Sequence, residues 1–130
     1  MRLIEKIKNY HQTLWDEKNT KVIFDLFTDD AKIHSPLNTV TGPYALKEII
    51  DTWFTAFPDL TVKWGDILAS TDKVVAAWEA TGTHKGTFLE IPPTNKTVTY
   101  HGTTIYEFTD DKVHEYWAII NLDDIKNQLL

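Results

Sequence analysis

The chain has 130 residues, of which 42% are hydrophobic, and a formal net charge of −6. That length fits one domain, residues 1–130, with a real core, and the acidic balance argues against a nucleic-acid partner, because phosphate binding needs clustered Lys and Arg. There is no cysteine, so disulfides, thiolate nucleophiles and cysteine-based metal sites are excluded.

The first ten residues alternate charged and apolar side chains and lack the apolar core of a signal peptide. No apolar run is long enough to span a membrane. A soluble, cytoplasmic protein is the simplest expectation. Leu3, Ile7, Tyr10 and Leu14 recur at helical spacing, with Ile4, His11 and Trp15 on the adjoining stripe. This predicts an amphipathic helix ending near Asn19. Thr20 is placed to cap a short second helix carrying Val22, Ile23, Leu26 and Phe27, closed by Asp29-Asp30. Ala31 to His34 reads as a short extended piece stopped by Ser35-Pro36. Gly42-Pro43 opens a third helix, since proline suits a first turn. Its apolar stripe runs through Leu46, Ile49, Ile50, Trp53, Phe54 and Phe57, and Pro58 stops it.

After Pro58 the period changes. Leu60 to Leu68, Lys73 to His84, Lys96 to Phe108 and Val113 to Ile120 read as strands. Ser70-Thr71-Asp72 and Thr109-Asp110-Asp111 are turn sequences. A short helix from Asp123 to Leu130 follows. Helices first and antiparallel strands afterwards give an α+β domain. The last hairpin has two readings. A three-residue turn at Thr109-Asp110-Asp111 pairs even positions with even ones, so that Tyr106 and Thr104 share a face with Tyr116 and Ala118. A two- or four-residue turn puts Glu115 and Trp117 there instead.

The chain resembles the SnoaL-like polyketide cyclase branch of the NTF2-like superfamily. The resemblance rests on G-T-H-K-G at Gly82 to Gly86, F-L-x-I-P-P-T at Phe88 to Thr94, and a strand pair ending in E-x-W at Glu115 and Trp117. A-F-P-D-L at Ala56 to Leu60, D-K-V-V-A at Asp72 to Ala76 and the closing Gln128-Leu129 extend it over nearly the whole chain. It implies N-terminal helices packed on a strongly curved, mainly antiparallel sheet that leaves a cone-shaped cavity. It also favours the even register of the last hairpin. In these cyclases and in limonene-epoxide hydrolases, the acid of the last strand aligns with Ala118. A pocket acid of ketosteroid isomerases aligns near Thr104. The Arg and Asp of the epoxide hydrolases fall on Ala77 and Glu79, and their pocket Asn falls near His34.

What remains is Glu79, His34, Tyr106 and Tyr116: Glu79 or His34 as a base, provided both reach one substrate proton, and Tyr116 or Tyr106 to stabilise a developing enolate oxygen. Glu79 sits either on a solvated face or in the pocket, and His34 is either a base or a partner of local backbone. Trp15, Phe54, Thr104, Tyr106, Tyr116 and Ala118 are the candidate ligand-binding residues, with core packing the competing role for the aromatic ones. His84 is expected to make structural hydrogen bonds, and His101 and His114 to lie at the surface or a subunit contact. The histidines have no metal-binding spacing, so neither a metal nor a cofactor is expected. Two functions are open. One is a cofactor-free cyclase or isomerase acting on a small, largely apolar substrate. The other is a non-catalytic small-molecule-binding or homodimeric module, favoured by the missing acid at Ala118. A homodimer through the outer sheet face is expected, because Trp is favoured at interfaces.

Overall fold

The computed structural model describes residues 2–130. The first amphipathic stripe forms helix α1 (Leu3–His11), which buries Ile7, Tyr10 and His11. The helix then widens into a π-helical turn over Gln12–Asp16. There Glu17 N–H donates to the Gln12 carbonyl at 3.1 Å and Asn19 N–H to the Thr13 carbonyl at 3.0 Å. The expected regular helix to Asn19 thus ends in a wider coil. Such turns often mark functional segments, and this one carries Trp15.

Helix α2 is short, Val22–Leu26. Thr20 does not cap it with its side chain. Instead Asn19 Oδ1 accepts the Lys21 N–H at 3.1 Å, a local Asx turn. Nor do Asp29 and Asp30 close that helix. They lie within strand β1 (Phe27–His34), which starts at the buried Phe27. Strand β2 (Thr39–Thr41), absent from the sequence reading, pairs antiparallel with β1. Helix α3 (Pro43–Ala56) begins with its proline, as expected, and buries Leu46, Ile49, Ile50, Trp53 and Ala56.

Strands β3 (Thr61–Ala69), β4 (Lys73–Thr83), β5 (Thr97–Thr109) and β6 (Lys112–Ile120) follow, and helix α4 (Leu122–Leu129) ends the fold. The six strands run in the order β2-β1-β6-β5-β4-β3. The β1–β6 pair is parallel and the others are antiparallel. The result is an open, curved α+β sheet with α1 and α3 against its inner face. Val74, Ala76, Ala80, Val98, Tyr100, Thr104 and Tyr106 are buried there. Their odd-numbered neighbours on β4 and β5 are exposed or half-buried, as a two-residue period requires.

The last hairpin combines features of both registers. Its turn has two residues, Asp110-Asp111, with Thr109 paired to Lys112 and Phe108 to Val113. A β-bulge at His114 then shifts the register, so that Tyr106 faces Tyr116 and Thr104 faces Ala118. Even residues therefore share the inner face beyond the bulge, although the turn is not the three-residue one expected.

The segment between β4 and β5 closes the end of α3. The N–H groups of Lys85 and Gly86 donate to the Ala56 carbonyl at 2.9 and 3.2 Å, satisfying a helix-end acceptor. A Cβ on Gly86 would stand 2.1 Å from the Thr55 carbonyl oxygen, so only glycine permits this approach. His84 is fully buried. Its Nδ1 accepts the Thr94 N–H at 3.1 Å and lies 3.0 Å from Thr94 Oγ1. Gln128 of α4 bonds both the N–H and the carbonyl of Thr99, at 3.1 and 2.8 Å. It extends the ladder past Gly102, where pairing with β6 ends.

Candidate ligand cavity

The curved sheet and the helices enclose an apolar cavity. Trp15, Leu46, Ile49, Ile50 and Trp53 line its helical side. Val62, Trp64, Trp78, Tyr100, Tyr106 and Tyr116 line much of the sheet side, with Ala118 and Ile120 on β6. The cavity has a volume of about 40 Å³. One water needs roughly 10–15 Å³ of such space. The open space is therefore narrow, because tryptophan and tyrosine rings fill most of it.

Close packing sets these rings. Trp53 stacks on Tyr100 at 5.6 Å, and Trp15 meets Phe54 edge-on at 5.4 Å. The Trp78 ring lies across β5, where a Cβ on Gly102 would come within 2.2 Å of it. Its indole N–H donates to Thr104 Oγ1 at 2.9 Å. The Thr104 hydroxyl proton is left to donate elsewhere.

The hydroxyl-bearing residues of the lining are Ser35, Tyr100, Thr104, Tyr106 and Tyr116. Burial raises the Tyr106 hydroxyl pKa well above the usual phenol value, and neighbouring Tyr116 and Tyr10 add to the shift. Burial likewise raises those of Tyr100 and Tyr116. All three are neutral donors at any ordinary pH. Tyr106 bonds His11 Nε2 at 2.8 Å. His11 is only 1% exposed, and burial lowers its pKa to about 3, because an imidazolium there would lose its hydration. It is neutral at physiological pH.

Of the candidate ligand residues, Trp15, Thr104, Tyr106, Tyr116 and Ala118 line the cavity. Phe54 does not line it, but packs behind Trp15 and carries Lys18 Nζ at 5.3 Å over its ring. Glu79 and His34 are elsewhere. Glu79 is an odd residue of β4, paired with His101 across the ladder, and strand alternation turns it outward. Its carboxylate lies 2.9 Å from His101 Nε2, with the two side chains 42% and 75% exposed. His34 pairs with Trp117 and also faces out. Its Nε2 lies 2.7 Å from Glu115 Oε2, and its ring stacks on Trp117 at 5.3 Å. The structure does not bring Glu79 and His34 together, and neither lines the cavity. Trp53, Trp64, Trp78 and Tyr100 also line the cavity, although the sequence did not assign them to it, and His11 bonds Tyr106 from outside that lining. Strand parity marks Trp78 and Tyr100 once the inner face is known; His11 has no such signal.

The outer face also gathers Glu107, His114 and Glu115, whose potential ligand atoms lie within 4.8 Å of one another. Each is engaged with protein groups. Glu115 holds His34, Glu107 lies 3.5 Å from His114 and 3.7 Å from Lys73, and His114 Nδ1 bonds Thr109 Oγ1 at 2.7 Å.

Solved structures share this architecture. AclR from Streptomyces galilaeus, a proposed hydroxylase, is 26% identical with a TM-score of 0.84, over 97% of this chain and 80% of that one. A proposed polyketide cyclase from Acidithiobacillus ferrooxidans is also 26% identical, with a TM-score of 0.79, over 96% of this chain and 92% of that one. TsrD from Streptomyces laurentii is 18% identical with a TM-score of 0.85, over 97% and 93% of the two chains, a likeness of fold alone. No curated protein matches the chain. The family model of the SnoaL-like polyketide cyclases matches residues 5–129. The chain therefore belongs to the SnoaL-like polyketide cyclase family of NTF2-like folds.

Proposed function

We propose that this protein binds a small, largely apolar molecule in the cone between sheet and helices, without a cofactor. The carrying observation is the composition of the wall. Aromatic and aliphatic side chains converge with a few hydroxyls, and among the described residues no Asp, Glu, His, Lys or Arg lines the cavity. Such a surface suits burial of apolar area with orientation by a small number of hydrogen bonds. A panel of hydrophobic ligands followed by tryptophan fluorescence and thermal shift tests it. A hit weakened by Tyr116→Phe supports the assignment, and a panel that leaves both signals unchanged counts against it.

Catalysis is the second function to test, and the cluster of neutral hydroxyls favours it. Tyr106, Tyr116 and Thr104 are suited to stabilise a developing enolate oxygen, as an aldol cyclisation or isomerisation requires. A general base is the missing part, since Glu79 and His34 face outward and Ala118 occupies the family acid's position. Non-catalytic binding is therefore the stronger proposal. Turnover of a hydroxyl-bearing or keto substrate that is lost in Tyr106→Phe would reverse that order.

We also assign the outer sheet face to a homodimer of this 1–130 domain. Val75, Ala77, Ile105 and Trp117 form its apolar centre, edged by the His–Glu pairs. Sedimentation of a dimer that Trp117→Lys converts to monomer is the expected result, and a monomer at high concentration would remove the assignment. Cell fractionation checks the cytoplasmic location expected from sequence.

A further inference from the structure

We propose that His11 is a positioning residue that holds the Tyr106 hydroxyl as a hydrogen-bond donor, so that the bound molecule presents a carbonyl or enolate oxygen there. The ligand half of this inference rests on the binding function proposed above.

The argument begins with the imidazole. A neutral imidazole carries one N–H, on either Nε2 or Nδ1. Nε2 lies 2.8 Å from the Tyr106 oxygen, and His11 is the partner of that hydroxyl among the described residues. Nδ1 is buried without a partner. The His11 ring stacks on Trp64 at 3.5 Å and within 3° of parallel. Trp64 Nε1 is also buried without a partner.

Two tautomers follow. With the proton on Nδ1, Nε2 accepts from Tyr106, and the stacked rings bury two N–H donors that have no acceptor among the described residues. Fixed, buried N–H groups without acceptors are rare and costly. With the proton on Nε2, His11 donates to the Tyr106 oxygen, and Nδ1 presents only a lone pair. The Tyr106 proton is then free, and Tyr106 lines the cavity. A rotating hydroxyl beside a cavity can find its acceptor in a ligand, whereas a ring N–H locked in a stack cannot. Without a ligand each arrangement strands two donors, and with an acceptor bound at Tyr106 the second strands only the Trp64 N–H. It also polarises the hydroxyl, because accepting one hydrogen bond strengthens donation of the next.

This fixes the chemistry of the ligand. A site offering a donor rewards an acceptor, and among largely apolar molecules that means a ketone, quinone or enolate oxygen. High phenol pKa values keep the proton on Tyr106 as the bond forms, so no proton transfer is required.

The test has two readouts on the full chain. Imidazole nitrogen chemical shifts report which His11 nitrogen bears the proton, and the expected result is Nε2. Cyclohexanone and methylenecyclohexane share a shape and differ in the acceptor oxygen. The ketone is expected to bind roughly tenfold tighter, the size of one net hydrogen bond. Its carbonyl stretch should move to lower frequency in the complex. Tyr106→Phe should abolish both effects. His11→Gln should retain them, because a side-chain amide N–H can take the place of Nε2–H. His11→Phe should lose them. A proton on Nδ1, or a ketone preference that survives Tyr106→Phe, overturns the proposal. If His11→Phe does not fold, the nitrogen shifts of the parent still decide the tautomer. Binding of neither probe sinks the pocket assignment and the ligand half together, while the tautomer result stands by itself.

Discussion

The two faces of one sheet carry opposite chemistry. The inner face holds aromatic rings, alkyl groups and hydroxyls, and the helix histidine that bonds Tyr106 from beyond it has its protonation suppressed by burial. The outer face holds the imidazole–carboxylate pairs His34–Glu115, His101–Glu79 and His114–Glu107. These imidazole–carboxylate pairs therefore stand on the side facing away from the cavity. The difference shows that a family fold can keep its pocket while the acid–base groups that a search of the sequence would select lie on the other surface.

Substitutions on each face can break or sharpen that contrast. The largest effect is expected inside. Trp53→Ala removes a ring that is 5% exposed and packed on Phe57, Phe88 and Tyr100. It should cost about 3–5 kcal/mol in urea unfolding. A loss below 1 kcal/mol would show that the inner face tolerates voids and that the cavity is far looser than its packing indicates.

Ala118→Asp places a carboxyl group on the inner wall. Burial beside Tyr116 and Thr104 should raise its pKa, because desolvation disfavours the charged form. The sign follows: a folded-state pKa above the unfolded value makes the variant lose stability relative to its parent as pH rises through the carboxylate range. The expected loss at neutral pH is about 1–3 kcal/mol, read from unfolding midpoints across pH. A pH-independent difference would mean that the position is fully hydrated.

His11 supplies a pH dependence of its own. Its folded pKa of about 3 lies below the value of an unfolded histidine, roughly 6.5. The unfolded chain takes up a proton that the folded one refuses as pH falls between those values. Stability should therefore decline on acidification through that window, by up to about 1.4 kcal/mol per pH unit from this group. His11→Gln should flatten the curve by that amount. An unchanged slope would show that His11 is hydrated.

The smallest effect belongs outside. Glu79→Gln breaks an exposed pair with His101 and should change stability by less than about 1 kcal/mol. It should leave probe binding in the cavity untouched. A large loss of binding would put Glu79 back among the ligand-contacting groups and erase the distinction between the faces.

Much of the fold was legible because local chemistry repeats. The periodicity of α1 and α3, Pro43 at a helix start and the strand-rich second half all correspond to observed elements. The inner positions of β4 and β5 follow a strict alternation. The site was less legible because alternation fails at the bulges. In β6 the inner face passes from Val113 to Tyr116 across His114, and in β3 from Trp64 to Ile67 across Gly65 and Asp66. A two-residue period read through either bulge changes face midway. The face taken by Glu79 stayed open for another reason. Its sequence neighbours are apolar, but β4 is buried on one side only, so the next residue along the strand points into water.

By itself the sequence determined an α+β domain, its strand-rich half, its family resemblance and the absence of an acid at Ala118. These depend on residue identity and on short-range periods. Tertiary structure decided which residues share the cavity and gave His11 its partner. Tyr106 is 95 residues away from it along the chain, and no local pattern links them. Sheet curvature and helix packing bring the two together, and burial then sets the charge state that spacing alone cannot reveal.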